Sequence, residues 1–439
     1  MQQVKHQNPG KTVSFLGILL ILMFFFTIVF SADQLSVRTL DSGPDVYGRS
    51  SKLSESLLQF ISSCDNPDSS VDVIASLSEN TNWKAVERAI LQTAAMTKIK
   101  TYHQLIHAIS FQTTVGELYN IAGLPQIQKI WSDIRVQLDS PSSTFSQNPT
   151  LPNGYIHPKD TIDATPLYSQ GFNGSHTVVS ILDTGIDATH PDLDDMDDNE
   201  TTLDPKVLAQ VSFTEGDPFP FDFNGHGTYC AGLVAGTGAV ADGNYTGIAP
   251  GAQLISAKVL LGDGTGYSSW IIRGIEWSVT NGADIILLPF STLGMPGDPL
   301  SEAVMSATKC GVLVVSAAGD RGPNHLTIMS PGESLAALTV GAFDTMTGKV
   351  PEFSSRGPTF DFRTKPDLIA PGVDIISTAL FNIFPSEIGN ISIDISPEDI
   401  DLIGGGIFGT PVNENYTRAS TTAASAAITV GAACLLLES

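Results

Sequence analysis

Basic residues are scarce in this chain of 439 residues, which contains 22 Lys and Arg against 46 Asp and Glu. The formal net charge is therefore -24 at pH 7. Nucleic-acid backbones and anionic lipid surfaces carry charge of the same sign, so this imbalance argues against both as partners. Acidity of this kind also keeps secreted proteins soluble, so it identifies no substrate.

Cysteine is scarce as well, because the chain has only four. That number is too small for a disulfide framework in a chain of this length. Cys230 and Cys434 lie in apolar helical patterns, where a free thiol behaves as a small hydrophobic group. We therefore interpret Cys230 as a packing residue, although it follows His226 by one helical turn.

Long apolar runs are rare, but residues 12–32 form one that contains no charged side chain. A run of about twenty such residues spans a bilayer, and the preceding Lys5 and Lys11 favour a cytoplasmic N-terminus. We predict that residues 1–32 form a cytoplasmic tip and a membrane signal anchor, with a cleaved signal peptide as the alternative. Either interpretation places the rest of the chain outside the cytoplasm. Five Asn-x-Ser/Thr acceptor sequences agree with that location, at Asn173, Asn199, Asn244, Asn390 and Asn415.

Residues 53–139 show a short and regular alternation of strand and helix patterns. The order strand, helix, strand, strand, helix, strand predicts a small α+β domain of the ferredoxin-like type. A Ser-, Pro- and Thr-rich segment at 140–152 follows and predicts an exposed linker. The segments that carry the pattern are 71–74, 83–90, 105–109, 115–122 and 134–138.

The remaining residues, 153–439, alternate short apolar runs with helical patterns. This alternation predicts an α/β fold in which helices cover both faces of a parallel sheet. The predicted strands are 178–182, 254–260, 284–288, 312–317, 338–342 and 375–378.

Two polar motifs interrupt these patterns at places where a ligand crevice is expected. Asp183 ends the first apolar run, and the carboxyl end of a parallel strand faces the crevice of an open α/β sheet. His226 lies between two glycines as an apolar helix begins. An Asp at a strand end followed by a Gly-His-Gly-Thr helix entry resembles the subtilisin-like serine proteases, or subtilases. Further segments that resemble this family are KVL at 258–260, DGTG at 263–266, SAAG at 316–319, FSSRGP at 353–358 and APGV at 370–373.

The resemblance implies a serine endopeptidase in which Asp183 orients the imidazole of His226, which acts as the base. It implies a peptide or protein substrate and no required cofactor. It also implies that residues 53–139 are a propeptide, a partner in cis that assists folding and closes the active site with its C-terminal tail. An unrelated interaction domain is the alternative for that segment. Family members generally continue beyond the last helix, so we expect that the C-terminus at Ser439 is truncated.

The family's nucleophilic serine has no obvious counterpart in this chain. The resemblance places its helix at residues 420–433, and matching the helix glycine to Gly431 puts Ala423 at the serine position. Ser420 or Ser425 is the alternative nucleophile, but either shift of register rotates the side chain by roughly 200–300° on a helix. A sequence error in this region is a third interpretation.

Two further positions depart from the family pattern. Asp320 stands where the family has the asparagine of the oxyanion hole, although one branch of proprotein convertases also has Asp there. An ionised carboxylate repels the oxyanion, and the loss of one donor costs on the order of 10²–10³ in turnover. The substrate-lining segment is altered to Pro289, Phe290 and Ser291. We therefore expect a catalytically impaired, peptide-binding family member, with an active endopeptidase as the alternative.

A dense acidic patch follows the Asp183 motif. Oxygen-rich clusters of this kind bind calcium, so we consider a structural calcium site beside a plain solvated loop. The acidic residues are Asp192, Asp194, Asp195, Asp197, Asp198 and Glu200.

Overall fold

The computed structural model describes residues 46–139, 156–197, 202, 204–380 and 408–439. Residues 49–439 form one compact unit, and only residues 46–48 of the other unit are described. The predicted signal anchor at 12–32 and the predicted linker at 140–152 thus lie outside the described residues. Across the described ranges, no helix combines the length and hydropathy that crossing a bilayer requires.

The unit begins with a four-stranded antiparallel sheet in the order β2-β3-β1-β4. One face of this sheet carries Val71, Val73 and Ala75, which pack with the neighbouring helices into a core of their own. Ile74 points from the other face into a core that it shares with the larger sheet. The elements are α1 (Val46–Ser50), α2 (Glu55–Ser63), β1 (Ser70–Leu77), α3 (Trp83–Thr93), β2 (Lys98–His103), β3 (Ala108–Thr114), a 3₁₀ turn (Val115–Glu117), α4 (Leu118–Ala122) and β4 (Ile127–Ser132).

The segment that we predicted as the last strand of this sheet, residues 134–138, is not part of it. The fourth strand is Ile127–Ser132, whose Ile127 and Ile130 supply the buried positions. Residues Arg135–Gln137 form a separate strand, β5, which pairs with a strand of the larger part of the chain. The alternation of apolar residues in 134–138 was correctly associated with a strand, but alternation alone does not identify the pairing partner.

The larger part of the chain contains a seven-stranded sheet in the order β13-β12-β11-β10-β6-β8-β7. Every pairing in it is parallel. The strands and helices of this larger part of the chain are α5 (Pro158–Thr161), α6 (Thr165–Tyr168), β6 (Val178–Asp183), β7 (Val207–Ser212), α7 (His226–Ala235), a 3₁₀ turn (Ala239–Ala241), β8 (Gln253–Lys258), β9 (Thr265–Tyr267), α8 (Ser268–Thr280), β10 (Ile285–Leu288), α9 (Pro299–Lys309), β11 (Leu313–Ala317), β12 (Leu338–Phe343), β13 (Leu368–Pro371), β14 (Ile375–Thr378), β15 (Thr410–Pro411), β16 (Tyr416–Ala419) and α10 (Thr422–Glu438).

Helices cover both faces of this sheet, which confirms the predicted α/β architecture. Successive residues of a strand point to opposite faces. Ile181 of β6 accordingly packs with α7 and α10, whereas Leu182 packs with α8 and α9. The central strands are buried on both faces, which explains why they are continuous apolar runs.

The sequence prediction missed two strands of this sheet, and it assigned a third strand to the wrong sheet. The strands β7 and β13 are the two edges of the sheet, and most of their residues are exposed or half-buried. Both strands are short and largely apolar, VLAQVS and LIAP, but the sequence prediction did not assign them as strands. Residues 375–378 form a strand as predicted, but this strand, β14, belongs to a separate antiparallel sheet with β16 and β15.

Candidate active site

The carboxylate of Asp183 and the imidazole of His226 lie together at the carboxyl end of the central strand β6. The Nδ1 atom of His226 is 2.9 Å from Oδ1 and 2.7 Å from Oδ2 of Asp183. Both side chains are almost completely buried. A carboxylate in this position holds the imidazole in one orientation and stabilises its protonated form, as a catalytic histidine requires.

The backbone around His226 explains why glycine precedes and follows it. Gly225 caps α7 with φ of 97°, a conformation that side chains disfavour. A Cβ atom on Gly227 would lie 2.0 Å from the carbonyl oxygen of Gly185, so only glycine allows α7 to approach the end of β6 this closely. The position of the imidazole therefore depends on two main-chain features that the local sequence encodes.

Asp222 fixes the entry of this helix, and the sequence interpretation did not identify it. Its Oδ1 accepts hydrogen bonds from the main chain of Gly225 and from the hydroxyl of Thr184, and its Oδ2 accepts from both N and Oγ1 of Thr228. Asp222 is buried. The available signal was an Asp two residues before Asn224, the kind of residue that caps a helix start.

The environment of His226 favours its charged form. Burial lowers the pKa of His226, but the negative charge of Asp183 and the hydrogen bond to it outweigh that effect, and the net pKa is raised. The ring of Phe408 packs edge-on against the imidazole, with centroids 4.7 Å apart. The imidazole is thus a well-held base that accepts a proton readily.

Cys230 lies close to this pair, on the same helix as His226. One ligand atom from each of Asp183, His226 and Cys230 lies within 4.8 Å of the other two, which is the one such group of potential metal ligands in the described ranges. Burial raises the pKa of the Cys230 thiol well above its usual value, and nearby carboxylates add to the shift. A neutral, buried thiol suits the packing role that we predicted for Cys230.

The acidic patch after β6 is engaged in local contacts where the structure describes it. The buried carboxylate of Asp192 accepts hydrogen bonds from Tyr416 and from the main chain of Val240. Asp194, Asp195 and Asp197 bind main-chain or hydroxyl groups of their own loop. Asp198 and Glu200 lie outside the described residues. The calcium site stays a prediction.

Asp320 faces the start of helix α10, at the position that we assigned to the oxyanion hole. Its Oδ1 accepts hydrogen bonds from N and from Oγ1 of Thr422, each at 2.8 Å. The main chain of Gly319 donates to the same hydroxyl. Burial raises the pKa of Asp320 to about 6, and the charge of Asp139 adds to the shift. Around pH 6 this carboxyl therefore changes between an ionised form, which only accepts hydrogen bonds, and a protonated form, which can also donate one.

The structure separates the three residues that we considered for the nucleophile position. Ala423 is buried in the first turn of α10, where its N–H is capped by the hydroxyl of Thr421. The Ser420 hydroxyl accepts a hydrogen bond from the main chain of Asp374. The Ser425 hydroxyl donates to the carbonyl groups of Ala370 and Pro371.

Within the described part of the chain, no hydrogen bond joins a hydroxyl group to Nε2 of His226. The hydroxyl-bearing residues that line the cavity beside His226 are Thr421, Thr422 and Ser291. The sequence interpretation did not consider either threonine, because threonine is not the family's nucleophile.

A segment that precedes the linker enters the same cavity. Strand β5 pairs antiparallel with β9, and the N–H of Leu138 donates to the carbonyl of Gly264 at 2.9 Å. Leu138 and Asp139 then line the cavity beside His226 and Asp320. Residues 135–139 thus occupy the crevice as an extended peptide would.

The model of the subtilase family matches residues 174–439. The serine protease AprX of Bacillus subtilis (strain 168) is 33% identical over 309 residues, which cover 66% of this chain and 64% of AprX. Subtilisin DY of Bacillus licheniformis is 36% identical over 229 residues, which cover 51% of this chain and 75% of that protein.

Proposed function

The chain belongs to the subtilase family, and on that premise we propose that it is a catalytically impaired member that binds peptides in the family's cleft. The observation that carries this proposal is that Asp183 and His226 form their buried pair while the helix facing them begins with Thr422 and Ala423. Acyl transfer by this machinery needs a hydroxyl that the imidazole can deprotonate. Loss of that hydroxyl lowers turnover by about 10⁶ in a related enzyme.

The position of Asp320 supports the same proposal. An ionised Asp320 repels the negative oxygen that develops during attack on a carbonyl group, whereas binding of an intact peptide creates no such charge. The change therefore weakens hydrolysis more than it weakens binding.

The alternative is an active endopeptidase that uses Ser420 or Ser425. Both hydroxyl groups are buried and already bonded to main-chain atoms, so either one would have to leave its partners and turn toward His226. These contacts favour the impaired enzyme over the active one.

The proposal assigns residues 53–139 as a propeptide-like domain that remains covalently attached. Because an impaired enzyme does not cleave its own linker, the tail that occupies the cleft stays connected to the rest of the chain. We also propose an extracytoplasmic location, with residues 12–32 as the membrane anchor. The exposure of Asn173 and Asn244, two of the predicted acceptor asparagines, supports that location.

The test uses purified full-length chain, a fluorophosphonate probe and intact mass spectrometry. We expect labelling no higher than in the His226→Ala variant, and one unbroken chain after prolonged incubation. Labelling that depends on His226 contradicts the proposal, and peptide mapping of the adduct then identifies the nucleophile. Two fragments divided near residues 140–153, absent from the His226→Ala variant, contradict it equally.

A further inference from the structure

The end of the tail in the cleft is held by its side chain as well as by its main chain. The pairing of β5 with β9 uses main-chain hydrogen bonds, which any peptide sequence can make. Selectivity must therefore come from pockets that receive individual side chains.

Asp139 occupies such a pocket with its carboxylate. The hydroxyl of Ser291 donates to Oδ2 at 3.2 Å, and the N–H of Asp320 donates to the same oxygen at 3.4 Å. The guanidinium Nε of Arg321 lies 3.3 Å from Oδ1. The side chains of Asp139 and Arg321 are 25% and 31% exposed, so this pair is partly shielded from water.

A carboxylate is an unexpected occupant in these surroundings. The chain carries a net charge of -24, and the carboxyl group of Asp320 lines the same cavity as Asp139. An acidic side chain is stable there only because three donors converge on it. A neutral amide at this position would keep one oxygen acceptor but would lose the negative charge that pairs with Arg321.

We propose that Arg321 and Ser291 make the cleft selective for peptides with an acidic side chain at the position of Asp139. This inference rests on the proposed peptide-binding function and names the class of ligand. Two residues back along the tail from Leu138, the side chain of Val136 is fully buried, and Leu138 packs against Gly264. The preferred ligand is thus an extended segment with apolar residues at alternate positions, followed by an acidic residue.

The test uses full-length chain that carries Asp139→Asn, which weakens the hold of the tail on its own cleft. Hydrogen exchange at residues 135–139 should be faster in this variant than in the wild type. Two labelled peptides with blocked ends, Arg-Val-Gln-Leu-Asp and Arg-Val-Gln-Leu-Asn, are then titrated and followed by fluorescence anisotropy.

We expect the acidic peptide to bind about tenfold more tightly, because hydrogen bonds to a charged acceptor are stronger than those to a neutral amide. Adding Arg321→Gln should abolish this preference. Adding Arg88→Gln makes the same change of charge at an exposed site on α3, and the preference should then persist.

Each other outcome is informative. Equal affinities for the two peptides refute the selectivity while leaving peptide binding intact. Binding of neither peptide, with the tail released, refutes the peptide-binding function and this inference with it. Unchanged hydrogen exchange in the Asp139→Asn variant shows that the carboxylate contacts do not hold the tail, which also overturns the inference.

Discussion

Replacing Asp320 with asparagine should stabilise the protein in a way that depends on pH. Burial raises the pKa of Asp320 to about 6 from an ordinary value of 3.8. Asparagine keeps the Oδ1 acceptor that the N–H and hydroxyl of Thr422 use, but it carries no charge. The substitution therefore removes the cost of ionising a poorly solvated carboxyl and retains its contacts with Thr422.

The magnitude follows from the shift of about two pKa units. Each unit corresponds to 1.36 kcal/mol, so ionised Asp320 lowers the free energy of unfolding by roughly 3 kcal/mol at pH 8. The folded-state pKa lies above the unfolded one, so the folded state binds more protons between pH 3.8 and 6, and stability falls as pH rises through that window. The advantage of Asp320→Asn should thus be about 3 kcal/mol at pH 8 and about half of that at pH 5.

Urea unfolding at the two pH values measures this difference directly. The raised pKa values of Asp133 and Glu333 are shared by both proteins, so they cancel in the comparison. Asp68→Asn removes one charge from an exposed loop and controls for the relief of general repulsion. An equal gain at both pH values, or an equal gain from Asp68→Asn, would refute the reasoning.

Three further predictions follow from the site. Ala423→Ser should introduce fluorophosphonate labelling, because it returns a hydroxyl to the position that we assign to the nucleophile; the absence of labelling in a folded variant contradicts that assignment. Ser425→Ala should lower the free energy of unfolding by about 1–3 kcal/mol, because the carbonyl of Ala370 loses a buried donor, and it should leave peptide affinity unchanged. A large loss of peptide affinity would instead indicate a direct role for Ser425. Gly227→Ala should lower the melting temperature sharply, because the new methyl group would overlap the carbonyl of Gly185, and an unaltered melting temperature would show that the helix entry can shift.

Sequence could predict those residues of the candidate site that are marked by a pattern in their immediate neighbours. Asp183 ends a run of apolar residues, and His226 sits between glycines at a helix start, so each is recognisable within a few residues. The β-sheet core was predictable for the same reason, because burial on both faces imposes continuous apolar strands. The edge strands β7 and β13 were missed although both are largely apolar, because a short apolar run does not by itself distinguish a strand from a loop.

The partners of these residues depend on contacts between distant parts of the chain. Asp139 and Arg321 are 182 positions apart, and no local pattern relates them. The directions in which the side chains of Ser420 and Ser425 point depend on the residue at which α10 begins. The hydroxyl of Thr421 caps the helix there by accepting a hydrogen bond from the N–H of Ala423. Sequence by itself thus determined the family, the sheet and the acid-base pair, because each is encoded in short patterns of burial and backbone geometry. Only the tertiary structure decided which serine hydroxyl groups are hydrogen-bonded to the main chain and which side chain lies in the cleft. The reason is that these hydrogen bonds join residues that become neighbours only when distant parts of the chain pack together.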